Sequence, residues 1–107
     1  MEYIQVITTT NKNEDAERIA RALLEKRLVA CVQIIGPMVS TYWWNGRIET
    51  AGEYLCLMKT REDLYAEVEK TIKGLHPYEV PEIVALDIVK GQEDYLEWLR
   101  NELCTTS

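Results

Sequence analysis

The 107 residues contain no phenylalanine, one histidine, three prolines and three cysteines. One histidine leaves no spare imidazole for a nucleophile relay, and no motif compels an enzyme. The cysteines, Cys31, Cys56 and Cys104, are odd in number and lack a C-x-x-C spacing, so they are expected to be reduced thiols in a cytoplasmic protein rather than a disulfide framework. Five scattered glycines never make G-x-x-x-x-G-K, which excludes that phosphate-cradling loop. No run approaches the ~18–20 apolar residues of a membrane span. Met1-Glu2-Tyr3 carries no basic region ahead of a hydrophobic stretch, so no signal peptide is expected. Basic residues are also in short supply: 12 against 18 acids give a net charge of −6, the wrong sign for a protein that grips a phosphate backbone. Neither membrane nor nucleic acid is an expected partner.

What is present reads as one domain over residues 1–107, without linker or repeat. Tyr3 to Ile7 is a short apolar strand. Asn13, followed by Glu14 and Asp15, predicts a capped helix start, and Ala16, Ile19, Ala20, Leu23, Leu24 and Leu28 continue as a helical stripe. From Val29 to Thr60 the pattern is β, with Asn45-Gly46 as a tight hairpin turn and bends at Gly36-Pro37 and Gly52. Thr60 to Asp63 resembles a capping box, and Leu64, Val68, Ile72 and Leu75 mark a second helix that His76-Pro77 ends. Ile83 to Val89 predicts a fourth strand. Tyr95, Leu96, Leu99 and Leu103 predict a short last helix. The fold class is α+β: a ferredoxin-like βαββαβ order with an extra C-terminal helix and a long central β-hairpin. Two helices are expected on one face of a four-stranded antiparallel sheet, with the first and third strands parallel in its centre.

That hairpin is too long for its domain. A two-residue turn pairs Trp44 with Arg47, Trp43 with Ile48 and Tyr42 with Glu49. Arms of roughly 15 residues reach about 50 Å, against a radius of gyration near ~13 Å for a domain of this size. Tyr42, Trp43, Trp44 and Ile48 would be carried beyond the core. Covering them is worth several kcal/mol at ~25 cal/mol per Å². A closed homo-oligomer in which neighbouring copies cover the ribbon is the expected solution; the alternative is a ribbon folded back on its own sheet.

For chemistry, the segment His76-Pro77-Tyr78-Glu79-Val80-Pro81-Glu82 sets an imidazole beside carboxylates on a stiff loop, which suits a borderline divalent metal. His76 and Glu82 are the candidate ligands, with further ligands drawn from a neighbouring copy. The opposing reading makes His76 a cap on a helix end. Lys59, Asp87 and Glu49 are charges within apolar β segments, expected on a solvated face or in a buried pair, the alternative being a polar cluster that lines an intersubunit cleft.

Ala30-Cys31-Val32, Tyr42-Trp43-Trp44-Asn45-Gly46, His76 to Glu82 and Asp94-Tyr95-Leu96-Glu97-Trp98-Leu99, in this order and over nearly the whole length, resemble the CutA divalent-cation-tolerance family. The resemblance implies a ferredoxin-like subunit, a homotrimer built like the P-II signalling proteins, and a role in tolerance of divalent metals, copper above all. The relative best tied to copper has a cysteine, a histidine and a glutamate at positions that fall here on Thr8, Leu75 and Glu82. Copper(I) prefers thiolate and imidazole, so this chain is expected to bind more weakly, to use Cu2+ or another divalent cation, or not to bind. No cofactor is otherwise required. A second reading is a P-II-like sensor holding a small organic ligand in the intersubunit cleft through Lys59, Tyr78 and Asp87. A third is a purely structural interaction module.

Overall fold

The structure, a computed structural model, describes residues 2–105. Met1 of the N-terminal reading and the last two residues of the expected domain lie outside the described residues. The elements run β1 (Tyr3–Thr10), α1 (Asn13–Glu25), β2 (Cys31–Trp44), β3 (Arg47–Arg61), a 3-10 turn (Glu62–Leu64), α2 (Tyr65–Leu75), β4 (Ile83–Asp87) and α3 (Glu93–Glu102). The sheet order is β2-β3-β1-β4.

β1 and β3 are central, as expected, but they run antiparallel rather than parallel. The hairpin reverses the chain between β2 and β3, so β3 enters the space beside β1 from the opposite end. Side chains alternate across the sheet. Ile4, Val6 and Thr8 of β1 share one face with Thr60, Met58 and Cys56 of β3, and all six are buried. Against that face lie Ala16, Ile19 and Leu23 of α1 and Val68 and Ile72 of α2, which together form the core. The opposite face carries the rows Gln33–Leu57–Ile7–Val84 and Cys31–Lys59–Gln5–Leu86. Val84, Leu86 and the neighbouring Ile35 are exposed there.

Several local expectations shift. Asn13 is the first helical residue and caps nothing; its amide donates to Glu17 instead, and Lys12 holds the cap position. The stripe reached Leu28, yet α1 stops at Glu25. Arg27 turns left-handed at φ 55°, and the N–H groups of Arg27 and Leu28 donate to the carbonyls of Leu24 and Leu23. This is a Schellman ending with Leu28 as its buried apolar residue. Thr60 forms no capping box: its hydroxyl donates to the Leu28 carbonyl at 2.6 Å. Gly36-Pro37 is the site of the β2 register shift, whereas Gly52 pairs in register with Val39. β4 ends at Asp87, two residues short of the expected strand.

The hairpin turn takes the left-handed angles foreseen for it, φ 51° at Asn45 and 75° at Gly46, and Trp43 faces Ile48. β1 pairs with β3 only from Tyr54 to Arg61. The ribbon from Met38 to Glu53 therefore has no third strand, and the molecule extends over 44 × 26 × 22 Å with a radius of gyration of 14.4 Å.

Candidate functional site

Where the free ribbon leaves the sheet, it meets the loop that follows α2. Pro77 stops the helix, and the chain turns past the end of β1 toward β4. The resulting cleft encloses a cavity of about 590 Å³. Ser40, Tyr42 and Trp44 form its ribbon wall, Thr9 and Glu53 line the sheet side, and Tyr78, Glu79, Val80 and Glu82 come from the loop. Three carboxylates and three aromatic rings line it, and among the described residues no Lys, Arg or His does.

His76 anchors this loop from behind. It is buried; its Nδ1 accepts from the Tyr78 backbone N–H at 3.1 Å, which leaves Nε2 to donate to the Thr9 carbonyl at 2.7 Å. The imidazole is therefore the Nε2–H tautomer, with both nitrogens engaged. Its ring also packs on Tyr78, centroids 4.6 Å apart. The carbonyl bound by the His76 side chain belongs to β1, so the imidazole ties loop to sheet, while the His76 backbone holds the C-cap of α2 and its N–H donates to the Ile72 carbonyl at 2.8 Å; the Leu75 carbonyl at the end of α2 is taken by Arg18.

Tyr78 donates to Glu53 Oε2 at 2.6 Å. Burial, followed by this bond and the Glu53 charge, pushes the Tyr78 hydroxyl well above the usual tyrosine range, so it remains a donor. Glu53 is only 7% exposed. Among the described residues its carboxylate has no ion pair, and Tyr78 is the one hydrogen-bond partner given to that carboxylate. Glu82 and Glu79 are exposed on the loop. Glu53 escapes sequence reasoning because a glutamate after a glycine in an exposed ribbon reads as solvated. Counting back from Asn45-Gly46 sets it opposite Met38, beside the bulge, and that signal was available.

The donor set of one chain does not fit a metal ion. Among the described residues, no three His, Cys, Asp or Glu side chains are placed to share one. Thr8 stands buried on the helix-covered face, Leu75 ends α2, and the imidazole of His76 has no free lone pair. The three residues of the organic-ligand reading also stay apart within a protomer. Tyr78 is bonded to Glu53, whereas Lys59, six positions further along β3 (~20 Å), bonds Gln33. Asp87 sits at that same far end, opposite Ile4. Of the four residues expected at an oligomer contact, Tyr42 and Trp44 line the cleft, and Trp43 and Ile48 stand 71% and 63% exposed at the ribbon tip.

The profile of the family described as CutA1 divalent ion tolerance protein matches residues 4–102. The divalent-cation tolerance protein CutA of Thermus thermophilus is 45% identical over 100 residues, which cover 94% of this chain and 96% of that protein. The crystal structure of CutA1 from Oryza sativa superposes with a TM-score of 0.95 at 38% identity, over 99% of this chain and 97% of that one. A structure described as the periplasmic divalent cation tolerance protein CutA of Archaeoglobus fulgidus gives a TM-score of 0.91 at 41% identity, over 94% and 97% of the two chains. Among the described residues, no helix is long and apolar enough to cross a membrane.

Proposed function

Since the chain belongs to the CutA1 divalent ion tolerance family, we propose that it serves divalent-cation tolerance as a non-enzymatic homotrimer that meets the ion between copies rather than within one. The observation that carries this reading is the position of Glu82: exposed beside Glu79 at the mouth of a cleft whose outer wall is a ribbon left uncovered by its own subunit. A neighbouring copy packed on that ribbon brings further donors to the loop carboxylates. Glu82 is the ligand this chain offers, and His76 positions it by pinning the loop to β1. The ion is Cu2+ or another divalent cation. The free thiols of Cys31, Cys56 and Cys104 support a reducing compartment, the cytoplasm.

Light scattering is the first measurement, with a mass three times the 12.4 kDa of one chain expected. Titration with Cu2+ by calorimetry follows, on the wild type and on Glu82→Ala. Removing the carboxylate is expected to weaken binding by about tenfold or more, as loss of one charged ligand does. Superimposable isotherms would remove Glu82 from the site.

A further inference from the structure

The free ribbon needs a fixed angle at its root. β1 supports β3 only as far as the Thr10–Tyr54 pair, so Glu53 is the first β3 residue without a third strand beside it. On the facing arm the register shift between Ile35 and Met38 falls at the same level, and strands bend at such bulges. From Glu53 to Gly46 the ribbon is a lever of ~23 Å, so a tilt of ~10° at the root carries its tip about 4 Å sideways. Interface cores pack at the density of protein interiors, and a displacement of that size loses the fit.

A ring of contacts grips that root. Glu53 is buried, and its Oε2 accepts from the Tyr78 hydroxyl at 2.6 Å. A hydrogen bond to a carboxylate is roughly twice as strong as one between neutral groups. The Tyr78 backbone N–H donates to His76 Nδ1 at 3.1 Å, and His76 Nε2 donates to the Thr9 carbonyl at 2.7 Å. Thr9 pairs in turn with Leu55, two residues along β3 from Glu53. The circuit from β3 through Tyr78, His76 and β1 back to β3 is closed, and it closes where the support of β1 ends.

We propose that Tyr78 is the positioning residue of self-association: its hydroxyl, seated on Glu53 while His76 holds its backbone, fixes the angle at which the ribbon leaves the sheet and so presents Trp43 and Ile48 to a neighbouring copy. The inference rests on the homotrimer of the proposed function and involves no metal ion. Without the hydroxyl the ribbon samples other angles, and the apparent affinity between copies falls with the fraction of time spent at the packing angle.

The test is sedimentation of the full chain over a dilution series, with circular dichroism checking the fold of each variant. Tyr78→Phe keeps the ring and the backbone N–H and removes only the hydroxyl. It should raise the concentration at which the trimer half-dissociates by about tenfold or more, which corresponds to a packing angle populated about a tenth of the time. Glu53→Ala should do the same, and the double variant no more than either alone, because both cut one link. Glu53→Gln retains a carbonyl oxygen to accept from Tyr78 and should dissociate as the wild type does. A hydroxyl with a merely structural role lowers the urea midpoint and leaves the dissociation of folded chains untouched. Tyr78→Phe dissociating with the wild type, or Glu53→Gln dissociating with Tyr78→Phe, therefore overturns the proposal and leaves the trimer standing. A wild type at 12.4 kDa at every concentration removes the trimer, and the role of the brace with it. If the variants fail to fold, amide exchange of the wild type decides. The cross-strand bonded amides of residues 39–52 and the amide of Tyr78 should open as one unit, with equal opening constants. Ribbon amides exchanging about tenfold faster than that of Tyr78 would refute the brace.

Discussion

Thr8 holds the one buried side-chain polar atom without a partner among the described residues: its hydroxyl is fully enclosed on the helix-covered face, between Cys56 and Ile83. An unsatisfied buried hydroxyl costs roughly 1–3 kcal/mol, and valine has the same shape without it. Thr8→Val should therefore stabilise the protein by about 1 kcal/mol, read as a higher urea midpoint at fixed protein concentration. His76 is the reverse case. Both of its ring nitrogens are satisfied, so His76→Ala should cost about 2–3 kcal/mol and loosen the 76–82 loop, again read from the urea midpoint. Alkaline pH tests the neighbouring groups. Burial pushes the Cys56 thiol up from 9.0 to about 11, and Tyr78 is raised above its ordinary 10.0 by burial and by Glu53. Above those ordinary values the unfolded chain releases protons that the native state keeps, so the native state binds more protons and stability falls as pH rises. The decline should begin near pH 9 with Cys56 and steepen beyond pH 10. In Tyr78→Phe the slope beyond pH 10 should be shallower, as followed by denaturant titration at successive pH values.

Among the elements, the hairpin shows how far a residue pattern reaches. Asn45-Gly46 fixes a two-residue turn because both positions take positive φ, and the pairing of Tyr42, Trp43 and Trp44 follows from counting outward. The helices were legible for a similar reason: their apolar stripes match a core face. Their ends were less so. Leu28 extends the stripe of α1 while belonging to its Schellman ending, because a buried leucine has the same periodic signature inside a helix and just past it. Leu28→Ala should remove that buried contact and cost about 2–4 kcal/mol, measured by chemical unfolding. The bulge at Gly36 depends on a tertiary contact invisible in the sequence. A Cβ there would come within 2.5 Å of the Tyr54 ring and 3.1 Å of the Glu53 carbonyl. Gly36→Ala should thus destabilise by about 1–3 kcal/mol and disturb the cleft floor. The cleft was half legible on the same grounds. The loop from His76 to Glu82 stands out by its prolines and charges, whereas Glu53 acquires its meaning only when the ribbon brings it under Tyr78.

At the scale of the whole molecule, the unresolved demand is cover for apolar surface. The open sheet face exposes Ile35, Val84 and Leu86, and the ribbon exposes Val39, Trp43 and Ile48, all without a third layer. A two-stranded ribbon is marginal in water by itself, and each aromatic ring covered contributes several kcal/mol at ~25 cal/mol per Å² over 150–250 Å². Copies of the chain arranged around a closed axis, as proposed above, would offer cover to both surfaces. Trp43 and Ile48 face each other across the ribbon, which allows a selective test. Trp43→Lys combined with Ile48→Glu replaces the apolar pair by opposite charges, which keep the strands attracted to each other while making the surface unfit for dry packing. The double variant should retain the far-ultraviolet circular dichroism of the wild type. Its mass should fall from three chains to the 12.4 kDa of one at micromolar concentration, by sedimentation or light scattering. A variant that still sediments as three chains would show that the ribbon tip lies outside the contact. A wild type already at 12.4 kDa would show that one copy tolerates its own exposed surface, and the proposed trimer would be lost.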